Sequence, residues 1–481
     1  MMDDFEVVVG LEVHAELSTK TKIYCGCRNA FGAEVNTECC PICTGMPGTL
    51  PTLNKKVVEY AVRMGCALHC DINRVSKQDR KNYFYPDLPK AYQISQFDVP
   101  LCEHGYVDIL SGGKQKRIGV TRIHIEEDAG KLLHGESFSG SLVDFNRCGV
   151  PLIEIVSEPD LRGADEAKAY LETIKSILEC LDISDCKMQE GSIRCDVNVS
   201  VRRKGSDKFG TRCEMKNVNS FNGVYHAVVY EAKRQVELLE SGGFVEQETR
   251  RWDDGKGMSF LMRSKEDAQD YRYFPEPDLR PIVLDADWIE QVRNSTPELP
   301  NHRQVRYMKD YGLPEDDAGL IAGTSEKAAF FDACVALGAG SAKAASNWLS
   351  GDVTRLLVER GESLESCALT PEKLMAMIAL IEKGTISNTA GKTVLEEIFA
   401  HGGEPEAIVK EKGLAQVSDT SALEKIVADV IAKNPKSVAD YKKGKSNAAG
   451  FLVGQCMRVS RGKANPQVLR DMILHALDTA E

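Results

Sequence analysis

Between Phe5 and about Leu284, apolar and polar positions alternate in short runs separated by Gly, Pro and Asn clusters, the pattern of a strand-rich region. In Val7 to Leu17 a period of two sends Val7, Val9, Leu11 and Val13 to one face and Gly10, Glu12, His14 and Glu16 to the other. Thr121 to Lys131 reads the same way: Ile123 and Ile125 oppose Arg122, His124 and Glu126, and Glu127 and Asp128 follow where a strand would end. Gly191 to Arg202 buries Ile193, Cys195, Val197, Val199 and Val201 and presents Ser192, Arg194, Asp196, Asn198 and Arg202. The run from Thr211 sets Cys213 and Met215 against Arg212, Glu214 and Lys216. Each of these strands has one face for a core and one left polar.

Beyond about Asp285 the period changes to that of helices. Thr370 caps one, with Pro371 at its first position and Gly384 past its end. Ser421 and Glu424 form a capping box ahead of Ile426, Val427, Val430 and Ile431. Turn residues from Asn294 to Pro300, and Gly402, Gly403 and Pro405, mark two boundaries. The expected organisation is an α+β multidomain chain: a strand-rich domain over 1–294, a helical domain over 295–405 and a helical tail over 406–481. A length of 481 residues is too great for one core and agrees with several domains.

Composition adds little to the fold but narrows the setting. The acidic N-terminus and the lack of a long apolar run predict no membrane segment. Sixteen scattered cysteines fit a reducing compartment, so the expected location is cytoplasmic. A net charge of −12 argues against nucleic acid over the whole surface. The tail departs from that average: Lys436, Lys442, Lys443, Lys445, Arg458, Arg461, Lys463 and Arg470 face the single acid Asp440. Such a run is either a solvated helix face or a phosphate-binding patch.

Candidate chemistry lies on the polar strand faces. Glu126, Glu127 and Asp128 in succession repel one another unless water, protons or a cation intervene. If the strands share one sheet, their faces pool Glu12, His14, Glu126, Asp196 and Glu214 with Arg122, Arg194 and Lys216. Carboxylates with an imidazole suit magnesium or manganese, and guanidinium or ammonium groups beside them suit phosphate oxygens. The combination is that of a phosphoryl-transfer site.

Cys25-Gly-Cys27 and Cys40-Pro-Ile-Cys43 are two knuckles able to close a tetrahedral four-thiolate zinc site, with Cys39 as an alternative to Cys40. Arg80 to Gln93 and Asp270 to Pro281 interleave cations with aromatics and are expected as extended loops, either stacking on bases or packing over the sheet. Ala390-Gly-Lys-Thr393 lacks the earlier glycine and preceding strand of a phosphate loop, and reads as a helix connection. Neither a glycine-flanked nucleophilic serine nor a catalytic-cysteine signature occurs.

Several of these segments are long and particular. Gly10 to His14, Cys40 to Gly48, Arg80 to Lys90, His124 to Lys131, Asp144 to Glu154, Glu190 to Asp196 and Asp270 to Pro275 resemble the B subunit family of the aspartyl/glutamyl-tRNA amidotransferases. The resemblance implies a cradle-shaped catalytic domain followed by helical domains. It implies ATP- and Mg2+-dependent phosphorylation of the side-chain carboxylate of glutamate or aspartate mischarged onto tRNA(Gln) or tRNA(Asn), then displacement of phosphate by ammonia. It further implies an amidase (A) subunit that supplies ammonia from glutamine, a small C subunit, and a tail that grips tRNA. By motif match, Glu12, His14, Glu126, Glu127 and Asp196 correspond to metal-binding groups, and Cys25, Cys27, Cys40 and Cys43 to a structural zinc site present in some members.

Arg122, Arg194 and Lys216 as contacts to ATP, and Glu126, Glu127, Arg194 and Lys216 as catalytic groups, rest on strand parity. The competing reading is a zinc-stabilised tRNA-binding scaffold whose partner performs all chemistry.

Overall fold

In the computed structural model, which describes residues 4–134, 140–264, 270–338, 342–416, 420–442, 447–460, 464 and 466–479, the four alternating stretches are strands of one nine-stranded sheet. In chain order these strands are β1 Phe5–Glu16, β2 Asp71–Ile72, β3 Cys102–Ser111, β4 Lys114–Glu127, β5 Pro151–Ser157, β6 Ile193–Arg203, β7 Cys213–Val218, β8 Glu248–Asp253 and β9 Met258–Ser264. Across the sheet they run β9-β8-β7-β6-β1-β5-β4-β3-β2. Pairing is antiparallel except between β7 and β8. Gly112 and Gly113, at φ of 57° and 75°, make the two-residue turn between β3 and β4. Positive φ at both positions gives the twist that paired strands require, and glycine adopts it without steric cost.

Register decides what meets on the polar face. On β1, Glu12 lies opposite Asp196 of β6, and His14 lies between Arg194 of β6 and Glu154 of β5. Glu154 is in turn opposite His124 of β4. His124, Glu154, His14 and Arg194 therefore form one row across four strands.

The apolar face of the sheet packs on α1 Lys55–Ala67, α2 Ala164–Cys180 and α3 Phe221–Glu240 in a single core. In α2 the buried set Ala167, Tyr170, Leu171, Ile174, Ile177 and Leu178 has helical spacing. Caps set where two of the helices start: Asn54 accepts from the Lys56 amide at 2.9 Å, and Ser220 from the Gly223 amide at 2.8 Å. Fully buried Ile174 contributes roughly 2 kcal/mol by leaving water, so the sheet is a stiff support for its polar face.

Arg80 to Gln93 and Asp270 to Pro281 are more ordered than loops. Asp79–Asn82 is the middle strand of a three-stranded sheet, with Tyr92–Ser95 on one side and Phe274–Pro275 on the other. Two segments far apart in sequence are thereby paired, with Arg80 opposite Phe274.

The chain divides into two compact units, residues 1–302 and 303–481. Helix Ala286–Asn294 buries Ile289 and Val292 in the first core, and the division falls inside the next helix, Pro300–Tyr311. The second unit is helical and holds two separate apolar cores, one built from residues between Tyr307 and Val409 and one from residues between Leu423 and Leu477. Thr370 caps helix Pro371–Glu382, and Gly384 follows at φ 68°. Ala390 to Thr393 lies within helix Asn388–His401, capped by Ser387, rather than in a connection. Helix Thr420–Lys433 begins one residue before the expected cap Ser421. Among the described residues no helix is long and apolar enough to cross a membrane.

Candidate functional site

On the polar face, His14, Glu126 and Glu154 bring one ligand atom each to within 4.8 Å of one another, and so do Glu12, Asp196 and Glu214. His14 Nδ1 is 3.3 Å from Glu126 Oε1 and 3.9 Å from Glu154 Oε2. His124 Nε2 is 3.5 Å from Glu154 Oε2 and 3.8 Å from Glu126 Oε2. In the second group the Asn198 amide donates to Glu12 at 2.9 Å, the Thr249 hydroxyl donates to Glu214 at 2.8 Å, and Lys216 Nζ meets Asp196 at 2.5 Å and Glu214 at 2.9 Å.

The electrostatics follow from crowding. Burial, reinforced by Glu154, raises the Glu12 carboxyl above its ordinary range. Burial works against charge on Glu126, but hydrogen bonds from His124 and His14 outweigh it and hold the carboxylate well below that range. Burial likewise disfavours a charged His14, yet Glu126 and Glu154 raise it to about 9. Packed carboxylates thus gather protons and cations, the condition in which a divalent ion binds well.

Both groups border one cavity of about 440 Å³, lined by every member except buried Glu126. Its cations include Arg122, 4.0 Å from Glu154 and with Nε buried and without a hydrogen-bond partner. Facing the acids is an aromatic wall in which Phe97 stacks on Tyr273 at 4.3 Å and Tyr271 meets Tyr273 edge-on. Lys81 stands in this wall, its ammonium 5.0 Å from the Tyr271 ring centre and 5.9 Å from that of Tyr83. Burial opposes its charge, but the field of Glu126, with the tyrosines and Glu154, raises it above the ordinary lysine range. The wall is tied down by Arg80, which donates from Nε and Nη2 to the two oxygens of fully buried Glu276 at 2.6 and 2.8 Å.

The expected site residues do not all converge. Glu12, His14, Asp196, Glu214, Arg122 and Lys216 line this cavity, and buried Glu126 meets it through His14. Glu127 does not. Strand β4 runs through it, so alternation carries it to the other side, where it accepts from the Ile94 amide at 3.0 Å and pairs with Lys90. Arg194 shares the face but leans toward the strand end, donating to Asp128 at 2.7 Å, beside Arg147. Asp128, with no expected role, thus anchors two arginines.

Glu154 and Lys81 were not anticipated. The signal for Glu154 was a lone acid inside Pro151-Leu-Ile-Glu-Ile-Val156, since a buried charge in an apolar strand needs partners. Lys81 carried only the general signal of a cation in the aromatic run Arg80 to Gln93, and its place at the cavity depends on Tyr271 and Tyr273, which arrive from the distant paired segment.

On the other side of β4, Cys25, Cys27, Cys40 and Cys43 bring their sulfurs within 4.8 Å of one another. Cys43 Sγ and Cys40 Sγ are 4.0 Å apart, and the Cys40 amide points at Cys43 Sγ from 3.2 Å. A tetrahedral zinc with bonds of about 2.3 Å needs sulfurs roughly 3.8 Å apart, so the set fits that ion with little movement. A hydrogen bond from Cys25 outweighs burial and lowers the Cys43 thiol to about 5. Cys39 is outside the group, its thiol directed at the Asn36 carbonyl. Of the basic tail, Lys436, Lys442, Arg458 and Arg470 are exposed, while Lys443, Lys445, Arg461 and Lys463 lie outside the described residues.

A strand-built cavity of paired acid groups, joined to helical regions, belongs to a known class: residues 7–290 match the family model of the GatB/GatE catalytic domain and residues 329–477 that of the GatB domain. Relatives named as the B subunit of aspartyl/glutamyl-tRNA(Asn/Gln) amidotransferase include one from Caldicellulosiruptor bescii, 59% identical over 99% of this chain and 99% of its own length. Another, from Thermoanaerobacter, is 58% identical over 98% and 99%, and one from Clostridium botulinum is 54% identical over 98% of each chain. The class is therefore that of tRNA-dependent amidotransferase components. The chain belongs to the B subunit family of these enzymes.

Proposed function

We propose that this chain activates the side-chain carboxylate of glutamate on tRNA(Gln), or aspartate on tRNA(Asn), and converts it to the amide. A carboxylate oxygen attacks the γ-phosphorus of ATP, the bond to the ADP oxygen breaks, and an acyl phosphate forms. Ammonia then adds at the acyl carbon, phosphate leaves with the carbon–oxygen bonding pair, and the nitrogen gives up a proton.

The observation that carries this reading is the pair of three-residue ligand groups, His14, Glu126, Glu154 and Glu12, Asp196, Glu214, on one cavity lined by Lys81, Arg122 and Lys216. These two groups would hold Mg2+, which when bound supplies positive charge for phosphate oxygens. Arg122, with a donor to spare, and Lys216 suit phosphate oxygens of ATP. Lys81, across the cavity, suits the carboxylate being activated. His124 holds Glu126 and Glu154 in place, and Asp128 holds Arg194. Glu127 and Arg194 are assigned no contact with the cavity's contents.

Ammonia would come from glutamine through an amidase (A) subunit, with a small C subunit completing the assembly in the cytoplasm. Residues 295–405 and 406–481 would act as separate helical domains, the tail gripping tRNA, and the four cysteines would hold a structural zinc.

The test is the reconstituted complex supplied with free ammonia. Glu126→Gln, and equally Glu154→Gln, should abolish ADP formation that depends on mischarged tRNA while tRNA binding persists. Amide formation at the wild-type rate by either variant would refute the site. ADP formation insensitive to every acid of the two groups would favour the scaffold reading.

A further inference from the structure

Lys22 is completely buried, and its ammonium makes its contact with Cys43 Sγ at 3.7 Å. Among the described residues no carboxylate pairs with it. Its place is set by backbone: the Lys22 amide donates to the Cys27 carbonyl at 3.0 Å, and the Ile23 amide donates to the Gly149 carbonyl at 2.9 Å. Gly149, at φ 77°, passes over the lysine stem and Cys43, where an added Cβ would lie 3.8 Å from Lys22 Cδ and 3.4 Å from Cys43 Cβ.

A fully buried ammonium whose close partner is a single cysteine sulfur is an expensive arrangement. Sulfur is a weak acceptor, and burying an ammonium with at most one sulfur, 3.7 Å away, as its countercharge costs several kcal/mol. Four thiolates around one divalent cation carry a net charge of −2, and beside such a centre the same ammonium is compensated. The centre gains as well, because a cation next to one sulfur relieves repulsion among the four.

We propose that Lys22 is a positioning residue for metal at Cys25, Cys27, Cys40 and Cys43, the fixed countercharge on the buried, Cys43 side of a half-buried tetrathiolate centre. It touches the ligand sulfur and not the metal. The assignment rests on the metal reading of the four cysteines, and the experiment separates the two.

Full-length wild-type, Lys22→Met and Cys25→Ser chains are loaded with Zn2+, and zinc content and release to a chromogenic chelator are measured. Methionine keeps the apolar stem and removes the charge. The expected result is about one zinc per wild-type chain and a 10- to 100-fold loss of zinc affinity in Lys22→Met, the range for residues that support metal ligands. In the Co2+-loaded protein the sulfur-to-metal absorption should move to longer wavelength in Lys22→Met, since losing the cation raises the sulfur electrons in energy. A lysine that merely fills space leaves both readouts at wild type, and that result overturns the proposal. Wild type and Cys25→Ser alike without zinc would overturn the metal reading itself.

Should Lys22→Met fail to fold, amine acetylation of the wild-type chain decides the matter. Lys22 should be protected from labelling in the zinc-loaded chain and label faster after chelation. Equal labelling with and without zinc overturns the proposal.

Discussion

Replacing Arg80 by Met probes how the aromatic wall is held. Arg80 meets both oxygens of Glu276 at 2.6 and 2.8 Å, and Glu276 is fully buried, so the substitution strands a carboxylate away from water. Breaking a buried pair from one side costs about 3–5 kcal/mol. The loss falls on the local sheet, where the Asn82 amide donates to Tyr271 O at 2.9 Å and the Glu276 amide to Gln78 O at 2.8 Å. At 1.4 kcal/mol per factor of ten, hydrogen exchange at these two amides should speed up by roughly 10² to 10³·⁵ in Arg80→Met, with the core amides of β1 unchanged. The double variant Arg80→Met/Glu276→Leu removes the stranded charge as well and should exchange within about tenfold of wild type. An Arg80→Met acceleration below tenfold, or a double variant worse than the single one, would refute the claim that this pair fastens the wall.

Two further outcomes are expected. Lys81→Met should lower kcat/KM for tRNA-dependent ADP formation about 10- to 150-fold, the worth of one hydrogen bond to a charged group at roughly 1.5–3 kcal/mol, with ATP binding unchanged; equal kcat/KM would remove Lys81 from the substrate's path. Charge reversal at Lys442, Lys443 and Lys445 should weaken tRNA binding and reduce the slope of log affinity against log salt by about 2 to 3, as three lost phosphate contacts require; an unchanged slope would return the tail to a solvated face.

Much of the sheet was legible because one side of it is apolar. Val9, Leu11 and Val13 alternating with Glu12 and His14 admit one orientation, and four such strands place their polar residues together whatever order they take. The order itself was not legible, since it depends on connections longer than any local signal. Glu127 went astray through strand length: with β4 ending at Glu127, alternation still governs it and sends it to Lys90. Glu154 was hidden in a strand buried on both faces, where periodicity carries no information. Lys81 depends on pairing between residues 79–82 and 274–275, which no short stretch encodes. The cysteine group was legible from spacing alone, whereas Lys22 became noticeable only through its complete burial.

The row His124, Glu154, His14 and Arg194 is set by hydrogen-bond register between four neighbouring strands rather than by loops. That divides the chain into parts that tolerate different kinds of change. Connections such as residues 204–212 can lengthen or shorten without displacing a ligand atom, but removing a single residue between Val8 and Val13, with the start of β1 held in register, would put Ala15 where His14 stands and turn the imidazole into the core. Laboratory evolution of this protein should therefore accept insertions in its loops and point substitutions in its strands, and reject frame changes in β1, β4, β5 and β6 even when every ligand residue is retained.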